Sequence, residues 1–347
     1  MTDLASSEAT GERGGRPYNR RLGVCIPTYK RPDQLRRCVE SIIAAAAPFD
    51  VPIFITDNAA DDTNRAVIAE LRARYPHIVY ALNEENVGID RNVQRCINLC
   101  DCDYAWGIGD DDRMLPGAVG AVLEALERDS PAFLCVNYSY VDEDVAVVLR
   151  EKLLPLEADR DEDAAAFFRE DAWAIGFLGS CVVNKALWRA VSPAPYLDTY
   201  FAHVGVILES VAGRRVSLLA EPQVLNRVGG AEVFTWSGDA YGVFQGFPAV
   251  ARRLAPVYGA EAAEEAAATF VRRHGLDTLR FMLARRGDRA YNLDVYRRFV
   301  RDSRRGRLHK MAAYLVATIP PAPARALRVL FSLMRRRSSQ KVGAGRA

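Results

Sequence analysis

Three consecutive carboxylates, Asp110, Asp111 and Asp112, carry the clearest chemical signal in this sequence of 347 residues. They follow the apolar run of residues 104–108, which is typical of a short buried strand. Adjacent carboxylates repel one another and destabilise a fold at neutral pH unless a cation compensates them. Mg²⁺ and Mn²⁺ prefer oxygen ligands, commonly one or two protein carboxylates with phosphate oxygens completing the shell. We therefore expect Asp110 and Asp112 to bind Mn²⁺ or Mg²⁺; a solvated acidic turn is the alternative.

Polar residues also follow three earlier apolar runs, at residues 22–26, 51–56 and 78–82. They are Pro27, Thr28, Tyr29 and Arg31 after the first run, Asp57 after the second, and Asn86, Gly88 and Arg91 after the third. Four successive runs thus end in hydroxyl, basic, amide or carboxylate groups, all of which bind ligands.

Between these runs, apolar residues recur at helical spacing. A helix is predicted to begin at Pro32, a second to be capped by Asp61 or Asp62, and two more to occupy residues 89–100 and 119–126. Alternating strands and helices predict an α/β fold, a mostly parallel sheet flanked by helices. In such sheets ligands bind beyond the carboxyl ends of the strands. We therefore expect the four polar strand ends to meet at one rim.

The rest of the chain is less regular. Its predicted elements are a strand at 133–138, an exposed acidic stretch at 157–163, a strand at 180–183, a helix over 204–211, and two short strands near Val216 and Val224. Beyond Asp239 the pattern is almost entirely helical. We expect a flexible arm of residues 1–20, one domain over 21–239, and a helical C-terminal extension over 240–347.

The motifs together resemble the family 2 glycosyltransferases of the GT-A fold. The resemblance rests on Ile26-Pro27-Thr28-Tyr29-x-Arg31, Asp57, Asn86-x-Gly88 with Arg91-Asn92, and Gly109-Asp110-Asp111-Asp112. It covers residues 20–140 strongly and 170–228 weakly, and is closer to bacterial enzymes that build surface polysaccharide or O-antigen. It implies metal-dependent, inverting transfer of a sugar from a nucleotide-diphosphate donor to a hydroxyl of a glycan or lipid-linked acceptor.

The resemblance also implies roles for single residues. Pro27, Thr28, Tyr29 and Arg31 match the loop that holds the nucleotide, Asp57 the acceptor for the base, Asn86, Gly88 and Arg91 the diphosphate side, Asp110 and Asp111 the ribose or sugar, and Asp110 with Asp112 the metal. Arg95 competes with Arg91, because the interval between Asn86 and Asn92 is shorter than usual in the family. A carboxylate accepts hydrogen bonds and cannot donate them, and uracil and thymine offer a ring N–H donor at N3, which cytosine lacks. Asp57 therefore favours a UDP- or dTDP-sugar.

Sugar transfer requires a base for the proton of the acceptor hydroxyl. The candidates are Asp198, His203 and Glu209, all near the helix predicted over 204–211. We predict His203, whose ordinary pKa near 6.5 suits proton abstraction at neutral pH, with Asp198 as the second candidate. The alternatives are a histidine hydrogen-bonded to backbone and an aspartate that caps the helix.

Charge is distributed unevenly along the chain. Residues 301–347 contain twelve Lys or Arg and one acid, Asp302, whereas residues 1–300 contain 34 basic and 43 acidic residues. Residues 322–337 fit a basic amphipathic helix, which suits an anionic membrane surface or docks on the body of the protein. The seven cysteines are an odd number and the first residues lack an apolar signal core, so we expect reduced thiols and a cytoplasmic protein, peripheral on the inner face of the cell membrane.

Two other functions fit parts of the pattern. A nucleotidyltransferase of related fold also uses paired carboxylates, but it would carry a Gly-rich phosphate loop where residues 26–28 read Ile-Pro-Thr. A catalytically inactive scaffold that binds nucleotide sugars would have no use for an intact acidic triplet. Nucleic acid is not expected as a partner, since a basic tail attracts any polyanion.

Overall fold

The computed structural model describes residues 18–228, 240–301, 303 and 305–325. Contacts divide these residues into two compact units. The first unit comprises residues 18–228 and 249–267, and the second comprises 240–248 together with the described residues from 268 onward. All described strands belong to the first unit.

The strands of the first unit form one sheet. They are β1 (Leu22–Thr28), β2 (Ile53–Asp57), β3 (Ile78–Leu82), β4 (Tyr104–Gly107), β5 (Arg113–Met114), β6 (Phe133–Val141), β7 (Val148–Arg150), β8 (Arg160–Asp163), β9 (Cys181–Asn184) and β10 (Arg215–Arg227). Their order is β3-β2-β1-β4-β9-β6-β10-β5, with β7 on β6 and β8 on β10. Strands β3, β2, β1 and β4 are parallel, β9 is antiparallel to both of its neighbours, and β6 is parallel to β10. The predicted α/β fold with a mostly parallel sheet is confirmed.

Helices follow the strands as the apolar spacing predicted. They are α1 (Pro32–Ala46), α2 (Arg65–Arg74), α3 (Ile89–Leu99), α4 (Ala118–Asp129), α5 (Ala164–Glu170), α6 (Lys185–Arg189), α7 (Ala202–Ser210), α8 (Ala240–Phe244), α9 (Gly246–Arg253), α10 (Ala255–Tyr258), α11 (Ala260–Arg273), α12 (Leu279–Gly287), α13 (Leu293–Val295) and α14 (Arg307–Thr318). The cap predicted for the second helix is wrong. Helix α2 begins at Arg65 without a side-chain cap, and Asp61 instead accepts a hydrogen bond from Thr63 and pairs with Lys30.

The central strands are buried on both faces, as expected for parallel strands covered by helices. All seven residues of β1 and all five of β2 are buried. Trp106 in β4 is fully buried, and its indole N–H donates to the carbonyl of Gly179 at 2.9 Å. This solid core fixes the ends of β1, β2 and β4, where the polar residues begin.

Two elements differ from the sequence prediction. The two short strands near Val216 and Val224 are one strand, β10, whose pairing with β6 shifts register on either side of Pro222. Proline has no N–H for the ladder, so a single strand is interrupted there without ending. Part of the acidic stretch 157–163 forms β8, a charged strand antiparallel to β10. Charged side chains are common on such edge strands because they prevent further pairing.

The second unit is helical, as predicted for the C-terminal part of the chain. Its core contains Tyr241, Met282, Tyr291, Val295, Val300, Ala313 and Ala317. Helix α13 continues as a π-helical turn, Tyr296–Val300. Within the ranges described, no helix is both long and apolar enough to cross a bilayer.

Candidate active site

The polar strand ends meet at one rim because the four parallel strands are in register. Thr28 lies beside Asp57, and Asp57 lies beside Leu82, the last residue of β3. Backbone hydrogen bonds continue this pairing into the loops: the N–H of Asn58 donates to Thr28 O at 2.9 Å, and that of Asn83 donates to Asp57 O at 2.8 Å. The loops after β1, β2 and β3 therefore form one surface.

The acidic triplet and the loop after β1 are joined directly at Asp110. The Thr28 hydroxyl donates to Asp110 Oδ2 at 2.8 Å, and Arg31 Nη1 donates to Asp110 Oδ1 at 3.2 Å. Arg31 also lies 3.6 Å from Asp111 Oδ2. Residues predicted separately for the nucleotide and for the metal thus form one cluster.

Arg227, the last residue of β10, completes this cluster. Its Nη2 donates to Asp111 Oδ2 at 3.1 Å, and its backbone N–H donates to Asp112 Oδ1 at 3.2 Å. Its side chain is only 8% exposed. Its place at the end of a strand is the same signal that identified the other site residues.

The positive charge around the triplet does not fully balance its carboxylates. Burial, together with the charge of Asp111, raises the pKa of Asp110 to about 6. Burial and the neighbouring Asp111 also raise the pKa of Asp112 well above its usual range. Arg31 and Arg227 therefore compensate the triplet incompletely, and the ionised form is destabilised.

This donor set fits a hard divalent cation. It offers carboxylate oxygens that are costly to ionise without a cation, which is the chemistry that Mg²⁺ and Mn²⁺ relieve. In the part of the chain that the structure describes, no three His, Cys, Asp or Glu side chains converge as a metal cluster. Asp110 and Asp112 would hold the ion with oxygen ligands from outside the protein, as Mg²⁺ commonly requires.

Asp57 is fully buried and already accepts three hydrogen bonds. The donors are the backbone N–H of Ala59, Asn64 Nδ2 and the Tyr80 hydroxyl, each at 2.9 Å. Burial, followed by the charge of Asp57, raises the pKa of Tyr80, so this hydroxyl stays a donor. Asp57 thus organises the start of the loop after β2, and its predicted contact with a nucleotide base remains a prediction.

Four asparagines form a hydrogen-bonded network that the sequence analysis missed. Asn58 donates to Asn86 at 2.6 Å, and Asn83 donates to Asn58 at 3.1 Å and to Asn92 at 2.9 Å. Their concentration around two strand ends was the available signal. Arg95, the competitor of Arg91, donates to Asn83 Oδ1 at 3.0 Å and so belongs to this network.

Gly88 connects the asparagine network to α3. Its φ of 80° lies in the left-handed region that glycine adopts without strain, and its N–H donates to Asn86 Oδ1 at 3.0 Å. Asn86 and Gly88 therefore shape the turn that leads into α3, on which Arg91 lies.

The first loop presents its tyrosine and lysine to solvent. Pro27 and Thr28 are buried as the last residues of β1, whereas Tyr29 is 37% exposed. Lys30 adopts a positive φ of 52°, and its ammonium lies 5.8 Å from the centre of the Tyr29 ring. Of this loop, only Tyr29 offers an accessible ring for stacking.

Arg91 in α3 and Asp198, which precedes α7, form an ion pair. Arg91 Nη1 donates to Asp198 Oδ1 at 2.7 Å, and the two side chains are 46% and 74% exposed. This contact lowers the pKa of Asp198. A predicted diphosphate ligand and a predicted base thus form one accessible ion pair.

Asp90, beside that pair, ties α3 to the start of α7. Its carboxylate accepts from the backbone N–H groups of Thr199 at 2.9 Å, Tyr200 at 3.0 Å and Ala202 at 3.2 Å. Asp198 is not the helix cap that the sequence offered as an alternative: the residue before α7 is Phe201, and no side chain of its own caps the helix. Asp90, distant in sequence, satisfies these N–H groups instead.

His203, the predicted base, is buried. Its Nε2 lies 3.0 Å from the carbonyl of Ile175, so the predicted alternative of a backbone-bonded histidine is the arrangement observed. Burial lowers the pKa of His203, with the charge of Asp90 opposing this shift. Glu209, the third base candidate, accepts from the Tyr196 hydroxyl at 2.5 Å. Of the three candidates, Asp198 is therefore the exposed one.

The basic amphipathic helix predicted over residues 322–337 lies outside the described residues from position 326 onward. The seven cysteines, by contrast, are all described, and they are free and buried. This agrees with reduced thiols that pack in the core.

Comparison with known sequences places this geometry in context. The glycosyl transferase family 2 model matches residues 23–183, which include β1 through β4 and the acidic triplet. The abequosyltransferase RfbV of Salmonella typhimurium is 27% identical over 238 residues, covering 63% of this chain and 70% of that protein. An uncharacterised protein of Mycobacterium tuberculosis, MT1568, is 30% identical over 110 residues, 31% of this chain and 33% of that protein.

Solved structures share the fold at low sequence identity. TarS of S. aureus, residues 1–349, crystallised in complex with UDP-GlcNAc, superposes with a TM-score of 0.54 at 13% identity, covering 80% of this chain and 83% of that one. The same protein without ligand superposes with the same TM-score. These likenesses concern the fold, and they confirm the predicted GT-A architecture.

Proposed function

We propose that the chain is a family 2 glycosyltransferase, since that family's model matches residues 23–183, and that it moves a sugar from a UDP- or dTDP-linked donor to a hydroxyl of a glycan or lipid-linked acceptor. The likeness to an abequosyltransferase supports a role in O-antigen or other surface polysaccharide biosynthesis. The observation that carries the proposal is the cluster of Thr28, Arg31 and Arg227 on the acidic triplet.

This cluster supplies what a departing nucleoside diphosphate requires. In transfer from a nucleotide sugar, negative charge develops on the diphosphate as the bond to the sugar breaks. A divalent ion on Asp110 and Asp112 would neutralise that charge as a Lewis acid. Arg31 and Arg227 hold the carboxylates in place, and their guanidinium groups would add positive charge beside a bound diphosphate.

Recognition of the nucleotide is assigned to the loops after β1 and β2. Tyr29 offers an exposed ring to the base. Asp57 is buried, but among the described residues its Oδ1 accepts only the hydrogen bond from Ala59 and so keeps a lone pair for an N–H donor such as N3 of uracil or thymine. The asparagine network, with Asn86 and Gly88, fixes the loops around that position. A UDP- or dTDP-sugar is therefore the proposed donor class.

Removal of the proton from the acceptor hydroxyl is assigned to Asp198 or His203. Asp198 is accessible and ionised, since Arg91 lowers its pKa. His203 is a stronger base in principle, but the carbonyl of Ile175 occupies its Nε2 and burial shields the ring. The accessible carboxylate is thus the first group that an incoming hydroxyl would meet.

Variants separate the two base candidates. Asp198→Asn keeps the shape and a partner for Arg91 but removes the base, so kcat is expected to fall about a hundredfold or more while the donor Kd stays the same. His203→Gln retains a side-chain amide near Ile175 and is expected to leave kcat within a few fold. The reverse ranking would make His203 the base.

The central test is a thermal-shift and transfer assay with nucleotide sugars. Stabilisation by one UDP- or dTDP-sugar, present with Mn²⁺ and absent with a chelator, is expected for the parent protein and is expected to disappear in Asp112→Asn. Asp144→Asn, a change of an exposed side chain on a turn, is the matched control. Release of pyrophosphate would instead indicate a nucleotidyltransferase, and binding without sugar transfer would indicate a scaffold.

Location at the membrane is a separate part of the proposal. A lipid-linked acceptor would bring the enzyme to the inner face of the cell membrane, and residues 322–337 place apolar and basic side chains on opposite helix faces by sequence. Co-sedimentation of the full chain with anionic vesicles tests this association. A chain with the basic residues of 322–337 replaced by glutamine is expected to bind less.

A further inference from the structure

Helix α14 presents an exposed apolar stripe. Leu308 is 78% exposed, Met311 57% and Leu315 55%. They lie at i, i+3 and i+7, so they share one helix face. Three large apolar side chains exposed together on one short helix are unusual for a surface that faces only water.

Packing within the second unit fixes the direction of this stripe. The other face of α14 contributes Ala313 and Ala317 to the unit's core, and both are buried. The Tyr291 hydroxyl donates to the carbonyl of Ala313 at 3.2 Å. Since the alanine face is held by the core, rotation of the helix cannot bury the stripe.

Positive charge predominates in and after α14, and Arg307 is the basic residue that borders the stripe. Arg307 and Lys310 lie in the first turn of α14, and residues 303–347 contain eleven Lys or Arg and no Asp or Glu. Among the ion pairs of the described residues, none involves Arg307 or Lys310. The segment is therefore complementary to an anionic surface in charge and to hydrocarbon in its apolar face.

We propose that α14 is a membrane-contact helix, which lies in the interface of an anionic phospholipid bilayer with Leu308, Met311 and Leu315 below the headgroups. Tyr314, 46% exposed, stands at the edge of the stripe, a position suited to the headgroup level. Twelve residues span about 18 Å, which is too short to cross a bilayer but enough to lie along one. A second copy of the chain fits less well because its equally basic segment would approach this one.

Vesicle flotation of the full chain tests this surface. The triple variant Leu308→Gln, Met311→Gln, Leu315→Gln is expected to lower partition onto phosphatidylglycerol-containing vesicles at least about tenfold. The matched control is Val147→Gln, Val148→Gln, Leu149→Gln, which removes three apolar side chains that are similarly exposed in the first unit. The control is expected to float as the parent does.

Further variants separate the contributions of charge, of residues 326–337 and of self-association to vesicle binding. Arg307→Gln is expected to weaken flotation on anionic vesicles, with little change on phosphatidylcholine vesicles. Parent-like flotation of the stripe variant, with binding lost only when residues 326–337 are changed, would overturn the assignment to α14. A dimer that the stripe variant dissociates, with no flotation of the parent, would replace the bilayer by a second copy.

Folding and catalysis provide independent controls. Because all three stripe residues are exposed, the variant is expected to keep the circular dichroism spectrum and the Tm of the parent within about 2 °C. The inference does not rest on the sugar donor. Transfer to a short water-soluble acceptor is expected to be equal in parent and stripe variant, so failure of the proposed reaction and failure of the membrane surface give different results.

Discussion

Asp110 shows how single residues in this site combine stability costs with function. It receives two hydrogen bonds, one of them from an arginine, and yet burial keeps its ionisation unfavourable. A carboxylate kept only for structure would be expected to ionise more easily than in water, as paired carboxylates usually do. The unrelieved charge is what a bound cation would remove.

Asp110 is expected to make the protein less stable as pH rises in the absence of metal. Its pKa is raised from 3.8 to about 6 in the folded state, so its stabilising contribution is full below about pH 4 and is lost as pH rises through about 6. Relative to Asp110→Asn, the parent should lose up to about 3 kcal/mol across this window. Urea unfolding of both proteins with a chelator measures the difference. A constant difference from pH 4 to 7 would show that Asp110 ionises normally.

Asp57 is expected to be essential for the fold of its loop. Asp57→Asn replaces one carboxylate oxygen with an amide N–H₂ that faces one or two of the three donors, so the free energy of unfolding should fall by about 2 kcal/mol or more. Tyr80→Phe removes one donor and leaves the carboxylate intact, so it should cost about 1 kcal/mol. Chemical denaturation compares the two. Equal stability of Asp57→Asn and parent would mean that these hydrogen bonds contribute little.

At the scale of elements, contacts between helices place residues that no local pattern positions. Asp90 binds the backbone of residues 199–202, and both Asp198 and Tyr200 adopt positive φ values, 63° and 65°. Such a conformation costs free energy in non-glycine residues and persists where its surroundings hold it. The carboxylate of Asp90 is the group that holds this turn, and it thereby sets the position of Asp198.

Asp90→Asn is expected to raise the KM for the acceptor while the KM for the donor stays near that of the parent. The amide loses at least one of the three N–H bonds, which loosens the turn that carries Asp198. Initial-rate kinetics with each substrate varied separately measures the two constants. Asp90→Glu, which keeps the charge, is expected to restore part of the acceptor affinity.

A matched variant tests the reason for this effect. Arg91→Gln breaks the exposed ion pair with Asp198 without touching the turn, so its stability should stay close to that of the parent. Donor and acceptor KM rising together in Asp90→Asn would contradict a positioning role and indicate general loosening of the site.

At the scale of the whole molecule, chain order and compact units do not coincide. The sequence predicts a boundary after residue 239, whereas residues 249–267 pack with the first unit. The Tyr258 ring stacks on Phe168 with centres 4.4 Å apart, and its hydroxyl donates to the carbonyl of Leu208. This alanine-rich helical segment therefore packs as part of the first unit.

Tyr258→Ala is expected to lower the free energy of unfolding of the first unit by about 2 kcal/mol, since it removes a stacked ring and a hydrogen bond. Val257→Ala, at a neighbouring side chain that is 42% exposed, should change it by less than about 0.5 kcal/mol. Thermal unfolding of both variants provides the comparison. A Tyr258→Ala protein as stable as the parent would place residues 249–267 outside the cooperative unit.

The sequence by itself determined the fold class, the order of the first four strands and helices, and the acidic triplet. These features depend on periodicity and on residue type, both of which are local. The ends of β1, β2, β3 and β4 were found because each apolar run stops where its polar residues begin. The asparagine network and Arg227 also lie at strand ends, so the same rule could have identified them.

Only the tertiary structure decided which of these residues meet, because contacts between distant segments leave no local pattern. Arg227 reaches Asp111 across 116 positions, and Asp90 reaches Ala202 across 112. The sequence predicted His203 as the base, but the fold buries it with its Nε2 at the carbonyl of Ile175, because the segments packed around a helix decide which of its residues meet solvent. The exposure of Leu308, Met311 and Leu315 was settled in the same way, by the core that took the other face of α14.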